Sequence, residues 1–329
     1  MPLPNTIRTA RAIAFGKPFV LFHKPTARCE CRCKFCDFWV NQPRSDDAQP
    51  TAVVHELLSR AASAGMSIYT VWGGEPLLVH ALDDWLAHAR RVGMKTVVCT
   101  AANSLAERAS QIGPHLDSLL VSLEAVGKAH DEIRRTPGLF DRLVEGLRAM
   151  RRCSSAQITI WSNLTRDNAD QVSEIARFAT DQRVSVEFFP AARYPGYNES
   201  MVLDGREREQ VFSKIMELKR TGSPVLTSTY ALDLMRTGRA FQCNIPRYSV
   251  LVTSDGTVHA CEPRIVPEMA AYGNTADLDM RKLTRSAQFR ETCFDLKKCN
   301  RCLLPCVAAM ADGIVAQSLR RAVSLTRYG

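Results

Sequence analysis

Residues 18–36 read PFVLFHKPTARCECRCKFC, and the change of character after His23 sets the architecture. Pro18 to His23 is rich in Val, Leu and Phe, as a short buried strand requires. The rest is a loop that carries Cys29, Cys31, Cys33 and Cys36. The same passage from a strand-like run into a chemically loaded loop recurs along the chain. SIYTVW (67–72), KTVVCT (95–100), SLLVSL (118–123), QITIW (157–161) and VSVEFF (184–189) are the further strand candidates. Between them apolar residues recur at helical spacing. Val53, Val54, Leu57, Leu58, Ala61 and Ala62 precede Gly65; Leu82, Trp85, Leu86 and Ala89 precede Gly93; Val172, Ile175, Ala176 and Ala179 repeat the scheme.

Strands alternating with helices predict an α/β fold of parallel strands joined by crossover helices. The rhythm suits a (β/α) barrel, whole or partial, or a doubly wound sheet. In both, ligand groups belong on loops beyond the C-terminal ends of the strands. The cysteine loop, Gly73-Gly74-Glu75-Pro76, Asn103, Ser122 with Glu124, and Asn163 all fall at such positions. Near residue 200 the rhythm changes. Glu207 to Arg220 reads as a helix with Val211, Phe212, Ile215 and Met216 on one side. Tyr248–Val252, a turn at Ser254-Asp255-Gly256 and Thr257–Ala260 predict a β-hairpin, followed by a helix around 275–287 and a cysteine-rich loop. This divides the chain into residues 1–234 and a smaller unit, 235–329.

With 329 residues, 46% of them hydrophobic, the chain can build a sizeable core. No apolar run reaches the length of a membrane span, and the N-terminal residues lack the pattern of a secretory signal; both place the protein in the cytoplasm. The net charge of +9 raises the question of nucleic acid. The charge is spread, however, and its densest run, Arg148, Arg151 and Arg152, is not interleaved with aromatics, which argues against a nucleic-acid partner. The twelve cysteines are the anomaly. Four lie in the first loop and six (Cys243, Cys261, Cys293, Cys299, Cys302, Cys306) in the smaller unit, with Cys99 and Cys153 isolated and expected as small buried hydrophobes. In a chain of this size without a signal peptide, clustering points to metal rather than disulfides.

Cys29-x3-Cys33-x2-Cys36 can wrap three thiolates around one face of a cubane iron–sulfur cluster and leave the fourth iron open. Zinc would want paired CxxC knuckles or a nearby histidine, and the one candidate, His23, sits in the strand. This motif, with Phe35 before its last cysteine, resembles the signature of the radical S-adenosylmethionine (SAM) superfamily. The resemblance continues through Gly73-Gly74-Glu75-Pro76 and through Val121-Ser122-Leu123-Glu124 with His130-Asp131-x2-Arg134. It covers residues 18–190 and implies a partial (β/α)6 barrel of the TIM type, with a [4Fe–4S] cluster on Cys29, Cys33 and Cys36 that binds SAM. It also implies that Gly73, Gly74 and Glu75 receive the SAM ammonium, that Ser122, Glu124 and Asn163 hydrogen-bond its ribose or amino-acid head, and that Arg134 meets its carboxylate. The family's Thr-Asn-Gly after the third strand is Thr100-Ala101-Ala102-Asn103 here, which leaves Asn103 without a carried-over role.

The segment 243–306 resembles the twitch or SPASM auxiliary-cluster domain of the same superfamily, through Cys243-x17-Cys261, Asp255-Gly256-x4-Cys261 and Cys299-x2-Cys302-x3-Cys306. A single-cluster arrangement would use Cys243, Cys261, Cys299 and Cys302, with Cys306 as the competing ligand; a full SPASM domain would hold two clusters. Cys31 and Cys293 stay unassigned. Trp39 and Trp72 are expected to pack around the first cluster, and residues 188–198 to form a loop over the barrel mouth. The activity implied is reductive cleavage of SAM to a 5′-deoxyadenosyl radical. That radical would abstract hydrogen from a small molecule such as a sugar, nucleoside or cofactor precursor, giving oxidation or rearrangement. Modification of a ribosomally made peptide is the alternative, and an iron–sulfur scaffold or electron-transfer module the alternative of another class. A flavodoxin or ferredoxin is the implied reductant.

Overall fold

A computed structural model of the protein describes residues 5–40 and 48–304. Strands β1 (Val20–His23), β2 (Ile68–Val71), β3 (Lys95–Thr100), β4 (Ser118–Ser122), β5 (Gln157–Leu164) and β6 (Ser185–Pro190) pair in parallel, each with its neighbour in sequence. The helices between them are α2 (Thr51–Ser63), α3 (Leu82–Arg91), α4 (Leu105–Ile112), α5 (Lys128–Arg134), α6 (Leu139–Cys153) and α7 (Val172–Asp181). Successive parallel strands that always step the same way produce a curved sheet with helices on its convex face, the partial (β/α)6 barrel expected from the sequence.

Strand alternation divides the side chains. Leu21, Val71, Val98, Val121, Ile160 and Phe188 enter the main core with Leu57, Leu86, Leu143 and Ile175 of the helices. Their sequence neighbours Phe22, Thr70, Cys99, Ser122, Trp161 and Phe189 line a cavity inside the barrel. His23 belongs to the outer set: its Nδ1 shares a 2.8 Å hydrogen bond with Tyr69 Oη, so the one histidine near the cysteines is a core residue.

Two further features were not part of the sequence reading. A helix, α1 (Asn5–Ala14), precedes β1, and its Arg8 donates to the carbonyls of Ala62, Met66 and Gly93. Ala62 is in the last turn of α2, while Met66 and Gly93 lie just beyond the ends of α2 and α3, so one guanidinium ties the C-terminal ends of both helices together. The second feature concerns the sheet. After α8 (Gly205–Arg220), α9 (Thr229–Thr237) and α10 (Ile245–Tyr248), strand β7 (Ser249–Val252) pairs in parallel with β1, Phe22 opposite Leu251. The expected hairpin is β7 with β8 (Thr257–His259), and β9 (Gly273–Asn274) completes a nine-stranded sheet ordered β6-β5-β4-β3-β2-β1-β7-β8-β9. The sheet thus runs across residue 235 without a break. At its other edge, residues 224–226 cover β6, with Val186 N–H donating to the Pro224 carbonyl.

The single helix expected around 275–287 is two, α11 (Met280–Leu283) and α12 (Ala287–Leu296). Asp279 caps the first, accepting from Arg281 and Lys282 N–H, and Ser286 caps the second, accepting from Phe289 N–H. Two N-caps seven residues apart interrupt what periodicity alone reads as one helix. Among the described residues no helix is long and apolar enough to cross a membrane.

Candidate active site

The loop after β1 is braced on three sides. Gly74 N–H donates to the Thr26 carbonyl (3.1 Å) and Glu75 N–H to the Arg28 carbonyl (2.7 Å). A Cβ on Gly74 would stand 2.1 Å from the Arg28 oxygen, so only glycine permits this approach. On the opposite side Arg32 N–H and Lys34 N–H donate to the carbonyls of Arg134 and Ile133, at 3.1 and 3.0 Å. From the third side Asn198 Nδ2 donates to the Phe35 carbonyl (3.0 Å), and within the loop Trp39 Nε1 donates to the Cys33 carbonyl (3.2 Å). Phe35 packs with Ala101, Ala125, Ile133 and Leu139.

Cys31 and Cys33 are buried, Cys29 and Cys36 half-buried. The neighbouring thiols of Cys29 and Cys33 pull the Cys31 thiol below its ordinary value, against the effect of burial. Among the described residues no three His, Cys, Asp or Glu side chains are already gathered around one metal position. The donor set nevertheless fits a cubane better than zinc: soft thiols on one turn, with no imidazole among them. Burial pushes the Cys36 thiol up; the Phe38 N–H and the charges of Arg264, Arg134 and Lys24 oppose it. Thiolates formed on ligation would therefore meet cationic surroundings.

The residues expected to hold SAM divide into committed and uncommitted groups. Glu75 is only 1% exposed, and its carboxylate accepts from Leu77 N–H (3.0 Å), Thr100 Oγ1 (2.7 Å) and Ala101 N–H (2.8 Å). It clamps the turn after β2 to the turn after β3, while burial raises it to about 7. Glu124 and Arg134 form a bidentate pair, at 2.5 and 3.0 Å. His130 Nδ1 accepts from Glu124 N–H at 3.2 Å, and burial, followed by the Arg134 charge, drives this imidazole down to about 3. Asn163 Oδ1, by contrast, has no partner among the described residues. Asn163 and Ser122 both line the cavity with Glu124 and Arg134.

Asn103 lies off the site, accepting from Arg142 Nε (2.7 Å). A residue that sequence reasoning missed is Asn168, whose Nδ2 donates to the carbonyls of Glu124 (2.9 Å) and Asn163 (3.1 Å) while its Oδ1 accepts from Thr165 N–H (2.7 Å). It holds the ends of β4 and β5 together. Its only sequence signal is an Asn three residues after a Thr, a turn-forming spacing.

Cys243, Cys261, Cys299 and Cys302 all line the same cavity from its other end and pack around Ile245. Cys243 N–H donates to the Lys297 carbonyl (2.9 Å), which ties the segment before α10 to the end of α12. Burial raises the Cys243 thiol to about 11. It also raises that of Cys261, with Cys302 and Cys243 adding to the effect, as expected of thiols brought near one another. These four soft donors from three segments suit a closed iron–sulfur site. Cys293 is elsewhere, packed against the main core beside Tyr272 and the Arg247 charge. Cys306 lies outside the described residues. Cys99 lines the barrel cavity beside Ser122, its thiol pushed up to about 12 by burial.

Between the two cysteine groups runs a seam that the sequence did not announce. Lys24 Nζ, at the start of the first loop, donates to both oxygens of Glu262, the residue after Cys261, at 3.1 and 2.9 Å. Arg264 pairs with Asp37, the residue after Cys36. The Phe38 ring lies between the two cations, 4.2 Å from Lys24 Nζ and 3.9 Å from the Arg264 guanidinium. Tyr194, from the loop after β6, meets the other side of Arg264 at 4.7 Å. The cavity that joins both ends has a volume of about 230 Å³.

Residues 24–179 match the model of the radical SAM superfamily, and residues 243–303 that of an iron–sulfur cluster-binding domain, SPASM. Fe-coproporphyrin III synthase of Methanosarcina barkeri is 25% identical over 213 residues, 62% of this chain and 52% of that protein. Pre-heme d1 synthase of Dinoroseobacter shibae is 27% identical over 201 residues, 59% of this chain and 47% of that protein. The chain thus spans about half the length of these curated relatives. Streptococcus suis SuiB, solved bound to precursor peptide SuiA, shares the fold with a TM-score of 0.68 at 17% identity, over 91% of this chain and 74% of that one. Both cysteine groups and the Gly73-Gly74-Glu75 turn fall inside the family matches, and the chain belongs to the radical SAM superfamily with a SPASM domain, a combination that implies [4Fe–4S] clusters and SAM as cofactors.

Proposed function

We propose that this enzyme cleaves SAM reductively at a cluster held by Cys29, Cys33 and Cys36, and acts on a small molecule bound between that cluster and an auxiliary one. When bound, the cluster and SAM would supply the chemistry, one-electron reductive cleavage of SAM followed by radical hydrogen abstraction from substrate. The chain's own residues bind, orient and exclude water. The backbone at Gly73 and Gly74 offers carbonyls to the SAM ammonium, while Glu75 keeps that turn in place through its three accepted hydrogen bonds. Ser122 and Asn163 offer side-chain oxygens to the ribose or amino-acid head, and Arg134, locked by Glu124, orients the end of α5 against the cysteine loop. Cys243, Cys261, Cys299 and Cys302 would hold the auxiliary cluster, with Cys306 as an alternative ligand. The functional boundary near residue 235 then separates the cofactor-binding part from the auxiliary part of one sheet.

The observation that carries this reading is the single cavity with Ser122, Glu124 and Asn163 at one end and the four cysteines at the other. This cavity, of about 230 Å³, is where a substrate would meet the cofactor-binding residues. A sugar, nucleoside or cofactor precursor is the substrate class proposed. The synthases of haem-type compounds among the relatives support a cofactor precursor. A ribosomally made peptide is the second reading, supported by SuiB with its bound precursor peptide. A flavodoxin or ferredoxin would serve as reductant. Anaerobic reconstitution followed by reduction tests the proposal. About eight irons per chain and 5′-deoxyadenosine above a metal-free control are expected, and a reduced, cluster-loaded protein that forms none would refute it.

A further inference from the structure

Glu262 is the one charged group of the cavity wall that the cofactor end leaves unassigned. Among the described residues the charged side chains lining the cavity are Glu124, Arg134 and Glu262, and the first two are bound to each other. The Glu262 side chain is 4% exposed. Its Oε1 accepts from Lys24 Nζ (3.1 Å) and, at 3.4 Å, from Arg264 N–H; its Oε2 accepts from Lys24 Nζ (2.9 Å). A carboxylate oxygen accepts two hydrogen bonds, so Oε2 keeps one position. Lys24 is not part of the cavity wall; its ammonium is enclosed by the rings of Phe38 and Trp72, 4.2 and 5.5 Å away.

Besides Glu262, the cysteines and the cofactor-end residues, the cavity wall includes the apolar Phe22, Trp72, Phe241, Ile265 and Val266. An anionic ligand group here would meet a carboxylate, and a cationic one the ammonium directly behind it. A neutral hydroxyl satisfies the remaining acceptor and leaves the buried pair balanced.

We propose that Glu262, held by Lys24, is a specificity-determining subsite that accepts a hydrogen bond from a neutral hydroxyl, an alcohol or phenol carried on an apolar part of the substrate. This rests on the reading of the cavity as the place where substrate meets cofactor. Because the substrate is unidentified, the probes are p-cresol, toluene, 4-methylbenzoate and 4-methylbenzylamine, measured by equilibrium dialysis against the cluster-loaded chain with SAM, without oxygen.

In the parent, p-cresol should bind at least tenfold more tightly than either charged analogue. The p-cresol to toluene affinity ratio should then fall about tenfold or more when Lys24→Met is combined with Glu262→Leu, because the hydroxyl loses a charged acceptor. Removing both partners avoids leaving a lone buried charge, and an unchanged iron content shows that the variant folds. A charged analogue that matches p-cresol, a parent that binds neither p-cresol nor toluene, or a ratio that stays within twofold in the variant would each overturn the subsite. Absent SAM binding with p-cresol selectivity intact would count instead against the cofactor reading.

Discussion

Cys29, Cys33 and Cys36 lie on one short loop whose backbone is hydrogen-bonded to the turn after β2, to the end of α5 and to Asn198. Cys243, Cys261, Cys299 and Cys302 come instead from three segments that meet at a cavity wall, and the described backbone bond among them is Cys243 to Lys297. The first group is positioned by the barrel rim and needs metal for chemistry. The second is assembled from distant pieces, so a bound cluster would also act as a cross-link that stabilises the local fold. The same element can therefore serve reactivity in one region and architecture in the other.

The strongest test of this contrast removes the first ligand set. Cys29, Cys33 and Cys36 changed together to Ala should abolish 5′-deoxyadenosine formation and leave about four irons per chain, with the melting temperature little altered. A large loss of stability would show that this loop, too, depends on its cluster. Arg134→Met should cost about 3–5 kcal/mol in anaerobic urea unfolding, because Glu124 is left buried without its partner. A cost below about 1 kcal/mol would mean that the end of α5 does not brace the loop through this pair.

In the second region Cys261→Ala should lose one cluster's worth of iron and melt about 5 °C or more below the parent, since two or more kcal/mol of cross-linking disappears. Cys293→Ala, outside the cavity, should stay within about 1.5 kcal/mol of the parent. Equal losses from both variants would bring Cys293 into the ligand set.

A last test varies pH. His130 falls to about 3 in the folded protein from an ordinary 6.5. Between those values the unfolded chain binds the extra proton, so the stability from a neutral His130 is complete above 6.5 and is lost as pH falls toward 3. The slope should be about 1.4 kcal/mol per pH unit across the steepest part. His130→Gln should flatten it in paired unfolding curves, and an identical slope in parent and variant would assign the acid lability elsewhere.

Much of the barrel rim was legible in the sequence because its information is local. Short runs rich in Val, Ile, Leu and aromatics at 18–23, 67–72 and 95–100 mark the strands, glycines end α2 and α3, and three cysteines in eight residues name their own chemistry. The function of Glu75 was not legible, since its three donors sit on two different turns. Nor was the bracing by Asn168, which depends on two strand ends lying side by side.

The sequence by itself determined the six parallel strands, three of the helices between them (α2, α3 and α7), the hairpin and the clustering of the cysteines. Tertiary structure alone decided that β7 joins β1, that Lys24 meets Glu262 across 238 positions, and that one cavity is lined both by Ser122, Glu124 and Asn163 and by Cys243, Cys261, Cys299 and Cys302. The reason is physical. Periodicity and spacing record which face of an element is buried, whereas strand pairing and buried ion pairs depend on which elements become neighbours after the chain has closed on itself.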